Sequence, residues 1–324
     1  MPLSEFDIIR EFFARYHVNT ELVPVGIGDD AAVINTASDE QLLIAVDTLN
    51  SGVHFPEQTS AYDIAYKALA VNLSDIAAMG GEPKWFTLAM SLPEANRDWL
   101  AAFTEGLSSL AVQYQLDLVG GDTTHGPLSI TIQIAGTVPR GRSLQRRGAQ
   151  VGDDIYVTGS LGDAAAALQI CQHKLSADSQ TNERLLQRLN RPVPRVDVGS
   201  GLREIATACI DISDGLAADL GHILEASGVG AEITLASLPR SQAIDTLSSD
   251  VAQIQDWQLY GGDDYELCFT AGSARREAIS ALSQRTSCPI TRIGEIIQEP
   301  GLFSLEASQH KTVLIRGYDH FGDA

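Results

Sequence analysis

Hydrophobic and polar residues alternate along the chain with two different periods, that of an α-helix and that of a β-strand, and segments of the two kinds follow one another. Residues 4–16 repeat apolar side chains at the three-to-four spacing of a helix, behind the capping pattern Ser4-x-x-Asp7. Residues 128–138 instead alternate isoleucine with Ser, Thr and Gln, which predicts a half-buried strand. Because helical and strand segments follow one another throughout, the pattern predicts an α/β fold.

Between these two segments, the first half is predicted to contain three more strands and two more helices. The first of these strands stops at Asp47, and the third runs out into glycines and Asp122. The strand segments are 41–48, 84–92 and 116–124, where the first strand is predicted to end at Asp47 and the third at Asp122, and the predicted helices are 60–81 and 94–115.

One stripe of the predicted helix at 60–81 carries polar residues among apolar ones. Ala68, Val71, Asn72 and Asp75 fall at the spacing that places them on one helix face. An amide and a carboxylate therefore interrupt a face that is otherwise suited to burial.

The length of 324 residues favours two domains over one core. Residues 142–154 form a short basic, glycine-containing link, after which a new strand, turn and helix begin. We therefore predict domains at 1–148 and 149–324. The second domain is predicted to place acids at a strand-to-helix junction near Ser213 and in a glycine turn near Asp263.

Composition excludes several classes of partner. The formal net charge of −20 makes nucleic acid or an anionic membrane an unsuitable partner, because both are bound by surplus Lys and Arg. The N-terminus lacks the basic region of a secretory signal and no apolar run reaches the length of a membrane span, so a cytoplasmic location is expected. The four cysteines are widely spaced, which predicts reduced core residues.

The acids gather at the ends of predicted elements. In an α/β fold such positions can meet in one crevice, and carboxylates brought together there need cations. Oxygen ligands favour a hard ion, and magnesium completes its shell with water and substrate phosphates. The alternative is that Asp and Gly are simply good turn formers. The acids are Asp29, Asp30, Asp47, Asp75, Asp122, Asp211, Asp214, Asp263 and Asp264.

Phosphate chemistry also requires positive or N–H groups, and the common phosphate-binding motifs are absent. The four lysines lie outside glycine loops, which excludes a P-loop enzyme. The turn at 159–163 could bind phosphate at a helix start, although such a match is weak and is more often a plain tight turn. Arg142, Arg146 and Arg147 are the better cations, unless they only form a solvated link.

Several of these motifs together resemble a known family. The chain is similar to the ATP-binding superfamily of aminoimidazole ribonucleotide synthetase and selenophosphate synthetase, and within it most closely to the branch that acts on thiamine monophosphate. NLSDIAAMG and GGDT are shared across the superfamily, whereas GGDDYEL and the closing GYDHF are more discriminating. The resemblance covers about residues 4–322.

The resemblance implies a two-domain fold with mixed sheets whose N-terminal domain forms a homodimer. It implies direct in-line transfer of the γ-phosphoryl group of ATP to thiamine monophosphate, assisted by several Mg²⁺ ions. A phosphate acceptor is mostly dianionic at neutral pH, so no catalytic base is expected.

The resemblance also implies a role for individual residues, which fall into three groups. The magnesium ligands would be Asp30, Asp47, Asp75, Asp122, Asp211 and Asp214, with the backbone of Ala45 and Val46. ATP would be held by Gly121, Asp122, Arg146 and Ser213. Thiamine monophosphate would contact His54, Asp263 and Tyr318.

Two departures and two alternatives stand beside this interpretation. The strand before Asp47 reads IAV where relatives often have a hydroxyl residue, which matters less if the metal uses a carbonyl group. Asp263 replaces the glutamate that is usual in GGEDYEL, so it offers a shorter side chain to the substrate. A sister activity, selenophosphate or aminoimidazole ribonucleotide synthesis, would keep the ATP site and change the acceptor. A non-catalytic calcium-binding protein is the other alternative, although DISDG does not match an EF-hand loop.

Overall fold

The computed structural model describes residues 9–13, 37–306 and 309–318. The chain divides into two compact units, Met1–Ile76 with Gly81–Gly141 and Ala77–Gly80 with Arg142–Ala324. The sequence-based boundary after residue 148 stays a prediction, and the division after Gly141 lies close to it.

The first unit contains a mixed sheet with the strand order β1-β4-β2-β3 among its described residues. Strands β1 and β2 both pair antiparallel with β4, whereas β2 and β3 are parallel and are connected through a helix. The strands are β1 Glu40–Asn50, β2 Glu82–Leu92, β3 Asp117–His125 and β4 Ser129–Pro139. The isoleucines of β4 are buried, as the alternating pattern predicts.

Two helices of the first unit begin at capping residues that the sequence supplies. Helix α1, Ala61–Ala78, follows Ser60, which exchanges hydrogen bonds with Asp63 as in a capping box. Helix α2, Arg97–Gln113, begins at Asn96, whose side chain accepts from the N–H of Trp99 at 3.0 Å. Of the predicted helix at 4–16, only Ile9–Phe13 is described, and it forms a single π-helical turn.

Two predicted strand ends are wrong. Strand β1 continues past Asp47, because its ladder with β4 extends to the pair Asn50 and Ser129. Strand β3 likewise runs through its glycines and Asp122 to His125, paired with β2. Tertiary pairing overrides the local turn preference of Asp and Gly here, so both acids lie within strands.

The second unit contains a sheet with the order β11-β10-β7-β9-β5-β8-β6 among its described residues. Its pairs are antiparallel except β7 with β10, so both sheets are mixed, as predicted. The strands are β5 Asp153–Thr158, β6 Ala208–Asp211, β7 Gly230–Ile233, β8 Leu267–Gly272, β9 Ile290–Ile297, β10 Gly301–Glu306 and β11 Gln309–Thr312.

Helices pack on this sheet through two apolar clusters. One cluster joins the sheet to α6, and the other joins α3, α4, α7 and α8 to one another. The helices are α3 Asp163–Cys171, α4 Ser179–Asn190, α5 Val196–Leu202, α6 Leu216–Ser227, α7 Gln242–Leu247, α8 Val251–Tyr260 and α9 Arg276–Thr286. Helix α3 follows β5, and helix α6 follows β6. Both strands pair antiparallel with β8, so they run in the same direction, and the loops that lead into the two helices lie at the same end of the sheet.

In the described ranges, no helix is both long and apolar enough to cross a lipid bilayer. Cys209, Cys268 and Cys288 are buried thiols and Cys171 is half-buried, in agreement with the predicted reduced core residues.

A buried carboxylate ties strand β5 to the second unit's surface arginines. The side chain of Asp154 is 1% exposed and accepts from Arg276 Nε at 2.6 Å, from Arg292 Nε and from Tyr156 Oη at 3.1 Å. The Arg276 guanidinium, assisted by Arg292 and Tyr156 and opposed by burial, lowers the pKa of Asp154 to about 2.

We expect Asp154→Asn to lower the free energy of unfolding by about 1–3 kcal/mol at pH 7, because buried charge-assisted hydrogen bonds are lost while both arginines can still reach water. A carboxylate with a lowered pKa stabilises the fold above pH ~4 and loses that effect as the pH falls toward 2. Urea unfolding at pH 7 and pH 3 should therefore show a smaller difference between variant and wild type at pH 3.

The matched control is Glu295→Gln, which removes a half-exposed carboxylate that pairs with Arg292 at 3.3 Å. It should change the free energy of unfolding by less than about 1 kcal/mol. A destabilisation by Asp154→Asn that is the same at both pH values would contradict the assigned charge of Asp154.

Candidate active site

Two predicted magnesium ligands meet in the first unit. Asp47 lies on β1 and Asp75 on α1, and their side chains share a hydrogen bond. Burial raises the pKa of Asp47, and the bond to Asp75 lowers it by less. Two carboxyl groups within hydrogen-bonding distance do not both ionise readily unless a cation lies between them. The pair is therefore suited to a metal ion.

The polar stripe of α1 is buried at Ala68, Val71 and Asn72 and half-buried at Asp75, and one amide atom of this stripe has no partner among the described residues. Asn72 is fully buried and donates from Nδ2 to the carbonyl of Ala68 at 3.0 Å. Its Oδ1 has no hydrogen-bond partner among the described residues, and it lies one turn before Asp75. An amide oxygen beside a carboxylate is a further oxygen donor that a hard cation could use.

The backbone of Ala45 and Val46 lies next to this acid pair. Strand β1 stands at an edge of the described sheet, where it pairs only with β4. An edge strand directs the C=O groups of alternate residues away from its neighbour. One of these two residues can therefore offer a carbonyl oxygen beside Asp47, as the resemblance implies.

Gly121 and Asp122 lie on β3, at the opposite edge of the sheet from β1. Three strand spacings separate the two edges, which is about 14 Å, so Asp122 does not join Asp47 and Asp75. A Cβ on Gly121 would stand 1.9 Å from the carbonyl oxygen of Leu88, so only glycine permits this approach of β3 to β2.

His54 is fixed in the loop after β1 by two backbone contacts. Its Nδ1 accepts from the N–H of Asn50 at 3.0 Å, which leaves Nε2 as the nitrogen that carries hydrogen in the neutral ring. Its carbonyl accepts from Nζ of Lys67 at 3.0 Å, and this lysine is 2% exposed. The loop therefore presents His54 as an oriented hydrogen-bond donor.

In the second unit, the loop after β6 carries three predicted residues. Asp211 ends β6 in a buried position, and Ser213 and Asp214 follow half-buried before α6 begins. Oδ2 of Asp219 accepts from the N–H groups of Asp214 and Gly215 at 3.1 Å each. Burial first, and then the charges of Asp211 and Asp214, raise the pKa of Asp219 to about 8.

The glycine loop before β8 interlocks with this segment. The N–H of Asp263 donates to the carbonyl of Ser213 at 2.9 Å, and a Cβ on Gly262 would stand 2.4 Å from that oxygen. Asp263 has a φ of +69°, a left-handed conformation that Asp adopts more readily than most residues. The departure from the family glutamate therefore suits the backbone at this position.

The C-terminal segment lies against the same loop. The N–H of Tyr318 donates to the carbonyl of Asp214 at 3.1 Å, and the side chain is half-exposed. A Cβ on Gly317 would meet that carbonyl at 2.5 Å, and Arg316 lies 4.2 Å above the ring of Tyr260. The fold thus brings Ser213, Asp214, Asp263 and Tyr318 together.

Arg146 is not part of this group. It is exposed, and its carbonyl accepts from the hydroxyl of Ser227 at the C-terminal end of α6. Asp214 precedes the other end of this helix, which is about 18 Å long at 1.5 Å per residue. Asp30 lies outside the described residues.

Sequence reasoning did not single out two residues that shape the site. Asp219 caps the loop that carries Asp214, and its position in the first turn of a helix that starts at a glycine was the available signal. Lys67 supports the His54 loop from within an apolar helix, where a lysine between buried neighbours was the signal.

Within the described ranges, no three Asp, Glu, His or Cys side chains gather closely enough to bind one metal ion. The acids instead form small groups, Asp47 with Asp75 in one unit and Asp211, Asp214 and Asp219 in the other. Carboxyl groups placed together in this way fit a cation that takes its remaining ligands from water and phosphate.

The arrangement has counterparts among known proteins. Residues 28–138 match the N-terminal domain, and residues 150–305 the C-terminal domain, of the AIR synthase related proteins. The chain therefore belongs to the AIR synthase related family.

Within that family, the chain belongs with the thiamine-monophosphate kinases. It is 46% identical over 323 residues to the thiamine-monophosphate kinase of Salmonella typhimurium strain LT2, covering 99% of each chain. The crystal structure of the enzyme from Stenotrophomonas maltophilia K279a superposes with a TM-score of 0.87 at 49% identity, covering 94% of this chain and 97% of that one.

A third relative was solved with bound ligands. The structure of AaThiL complexed with AMPPCP and TMP superposes with a TM-score of 0.76 at 31% identity, covering 91% of this chain and 92% of that one.

Proposed function

We propose that the protein is a thiamine-monophosphate kinase, which transfers the γ-phosphoryl group of ATP to thiamine monophosphate and releases thiamine diphosphate and ADP. The observation that carries this function is full-length identity of 46% to an enzyme of that name. The AaThiL complex with AMPPCP and TMP supports both substrates, since it combines an ATP analogue with the acceptor.

The site chemistry is consistent with a phosphate acceptor. The second pKa of a phosphate monoester is near 6, so the acceptor is already a nucleophile at neutral pH and no side chain has to remove its proton. The main obstacle is repulsion between two polyanions, which the enzyme must overcome by positioning and charge neutralisation. A site rich in carboxylates and without a dedicated base suits that requirement.

We infer that Mg²⁺ ions occupy the acid groups. Asp47 and Asp75 would hold metal in the first unit, together with Asp30 and a carbonyl of Ala45 or Val46. Asp122, which lies at the other edge of the sheet, would bind a different ion. Asp211 and Asp214 would hold metal in the second unit. When bound, these ions would neutralise phosphate oxygens of donor and acceptor and align them.

We propose that the remaining predicted residues bind the two substrates. Gly121 and Ser213 would hold ATP through backbone or hydroxyl groups, and Arg146 would pair with a phosphate. His54, Asp263 and Tyr318 would contact thiamine monophosphate. Of these, Asp263 and Tyr318 are supported by their shared neighbour, the loop at Ser213 and Asp214.

We also propose a homodimer through the sheet of the first unit. Leu42, Ile44 and Val46 point to one face of β1 and are 44%, 59% and 60% exposed in the single chain. An apolar stripe of this kind on a sheet face is typical of an interface, because water-exposed apolar area is unfavourable.

The function is tested by incubating the protein with ATP, Mg²⁺ and thiamine monophosphate and separating the products by chromatography. Thiamine diphosphate and ADP should form in equal amounts, and thiamine in place of the monophosphate should give neither. ADP formation without thiamine diphosphate would contradict the proposed acceptor and would favour a sister activity.

For the metal site, we expect Asp75→Asn to reduce activity about 100-fold or more, because a ligand charge is removed. In EDTA the variant should be about as stable as wild type, since the asparagine amide can donate to Asp47 in place of the Asp75 carboxyl group. Thermal unfolding with and without Mg²⁺ separates the two effects. Mg²⁺ should stabilise wild type and have little effect on the variant.

The control for this experiment is Asp98→Asn, which removes an exposed carboxylate in the first turn of α2. It should keep the Mg²⁺-dependent stabilisation. Equal stabilisation of wild type and Asp75→Asn by Mg²⁺ would argue against a metal at Asp75.

For the acceptor, we expect Tyr318→Ala to raise the KM for thiamine monophosphate about five- to tenfold and to leave the KM for ATP unchanged, because an aromatic contact with the substrate is lost. Tyr318→Phe keeps the ring and should restore most of the affinity. Steady-state kinetics with each substrate varied in turn provide the measurement. An equal loss for both substrates would refute the assigned contact.

For the dimer, we expect Ile44→Glu to convert it to a monomer, because a charge would be buried in the proposed interface. Val112→Glu places the same charge on an exposed position of α2, 76% exposed, and should leave the assembly unchanged. Light scattering after size-exclusion chromatography measures both. A wild-type mass equal to that of one chain would rule the dimer out.

A further inference from the structure

A cavity of about 550 Å³ in the second unit is lined by four arginines. Its wall is formed by the turn after β5, by α4 and by the segment before α7, and it includes none of the residues predicted for ATP, magnesium or thiamine monophosphate. Four guanidinium groups around one cavity are unusual in a chain with a net charge of −20. These residues are Arg184, Arg188, Arg195 and Arg240.

A buried carboxylate in the wall of the cavity holds two of the arginines in place. Glu266 is fully buried and accepts from Arg188 Nη2 at 2.7 Å and from Arg195 Nε at 2.6 Å. The hydroxyl group of Thr158 donates to the same carboxylate at 2.7 Å. Glycine is required at position 159 because a Cβ on Gly159 would stand 2.0 Å from Oε1 of Glu266. Both guanidinium groups are therefore oriented before any ligand arrives.

The other two arginines lie at the exposed rim of the cavity. Arg240 pairs with Asp245 at 2.6 Å, and both side chains reach solvent. Arg184 makes no ion pair with any residue in the described ranges. Both rim guanidinium groups can turn toward a ligand, because neither is held by a buried partner.

Carboxyl groups lie beside the guanidinium groups of this cavity. Glu266, Asp163 and Asp245 pair with its arginines. Asp264 lies near Arg188 as well, and burial raises the pKa of Asp264 well above the usual range, which favours its uncharged form. The four guanidinium groups can therefore attract an anion locally, although the chain as a whole repels anions.

We propose that this cavity is a second ligand site, which binds a small molecule through a diphosphate group. Two fixed guanidinium groups and two movable ones can together engage the oxygens of two phosphoryl groups, and planar guanidinium is well matched to phosphate. The volume lies in the range of small-molecule sites.

The proposed site consists of these side chains alone and does not rest on the proposed function. Two sources could supply the diphosphate group, a nucleoside diphosphate or the diphosphate ester of a smaller alcohol such as thiamine. In either case the ligand would bind without Mg²⁺, because arginine replaces the metal as the source of positive charge.

The test is calorimetric titration of the protein with pyrophosphate, ADP and thiamine diphosphate in the presence of EDTA. Chelation removes divalent metal from the acidic groups, so only a site built on arginine should bind. At least one of the three probes should bind saturably to one site per chain. A tighter interaction with ADP or with thiamine diphosphate identifies which source the cavity accepts.

Arg184→Gln and Arg240→Gln should each weaken this binding about fivefold or more, and the double variant should abolish it. Both residues are exposed, so folding should be preserved, which thermal unfolding checks. The control is Arg275→Gln, which removes an exposed arginine outside the cavity and should leave the affinity unchanged. Absence of saturable binding, or equal binding by wild type and the double variant, would overturn the proposal.

Discussion

Burial of carboxyl groups beside one another is the constraint on which the rest of this structure depends. Burial raises the pKa of Asp47, which shares a hydrogen bond with Asp75, and burial together with the charges of Asp211 and Asp214 raises the pKa of Asp219 to about 8. Such groups are unfavourable in a folded chain without a cation or a proton. The fold keeps these carboxylates at positions where they could bind the metal ions that accompany a polyanionic substrate. Their unfavourable grouping is therefore explained by the proposed phosphoryl transfer.

Close backbone contacts hold the acidic loop of the second unit in place. Gly262 and Gly317 allow two separate segments to approach the carbonyl groups of Ser213 and Asp214 at distances that a side chain would prevent. Asp263 and Tyr318, which follow directly, are thereby fixed next to the predicted metal ligands. The glycines of these motifs therefore allow close backbone packing, and this packing determines where the polar residues beside them lie.

Charge is distributed in opposite ways at the two places where the protein is proposed to bind anions. The candidate active site presents carboxylates such as Asp47 and Asp75 and would bind phosphate through metal ions. The cavity at Arg184 and Arg240 presents guanidinium groups directly, supported by the buried Glu266. A chelator should therefore affect the two sites differently, which makes them separable in one protein.

The sequence by itself determined the family, the α/β fold class, most helices and strands, and the acidic residue types, because periodicity, capping patterns and motif spacing are local properties of the chain. It did not determine that Asp47 and Asp122 lie within strands at opposite edges of one sheet, or that Arg146 lies far from Asp214. It also gave no sign that residues as distant as Arg188 and Glu266 share one cavity wall. Strand order and long-range packing decide these relations, since hydrogen bonding between distant segments is not encoded in any short stretch of residues.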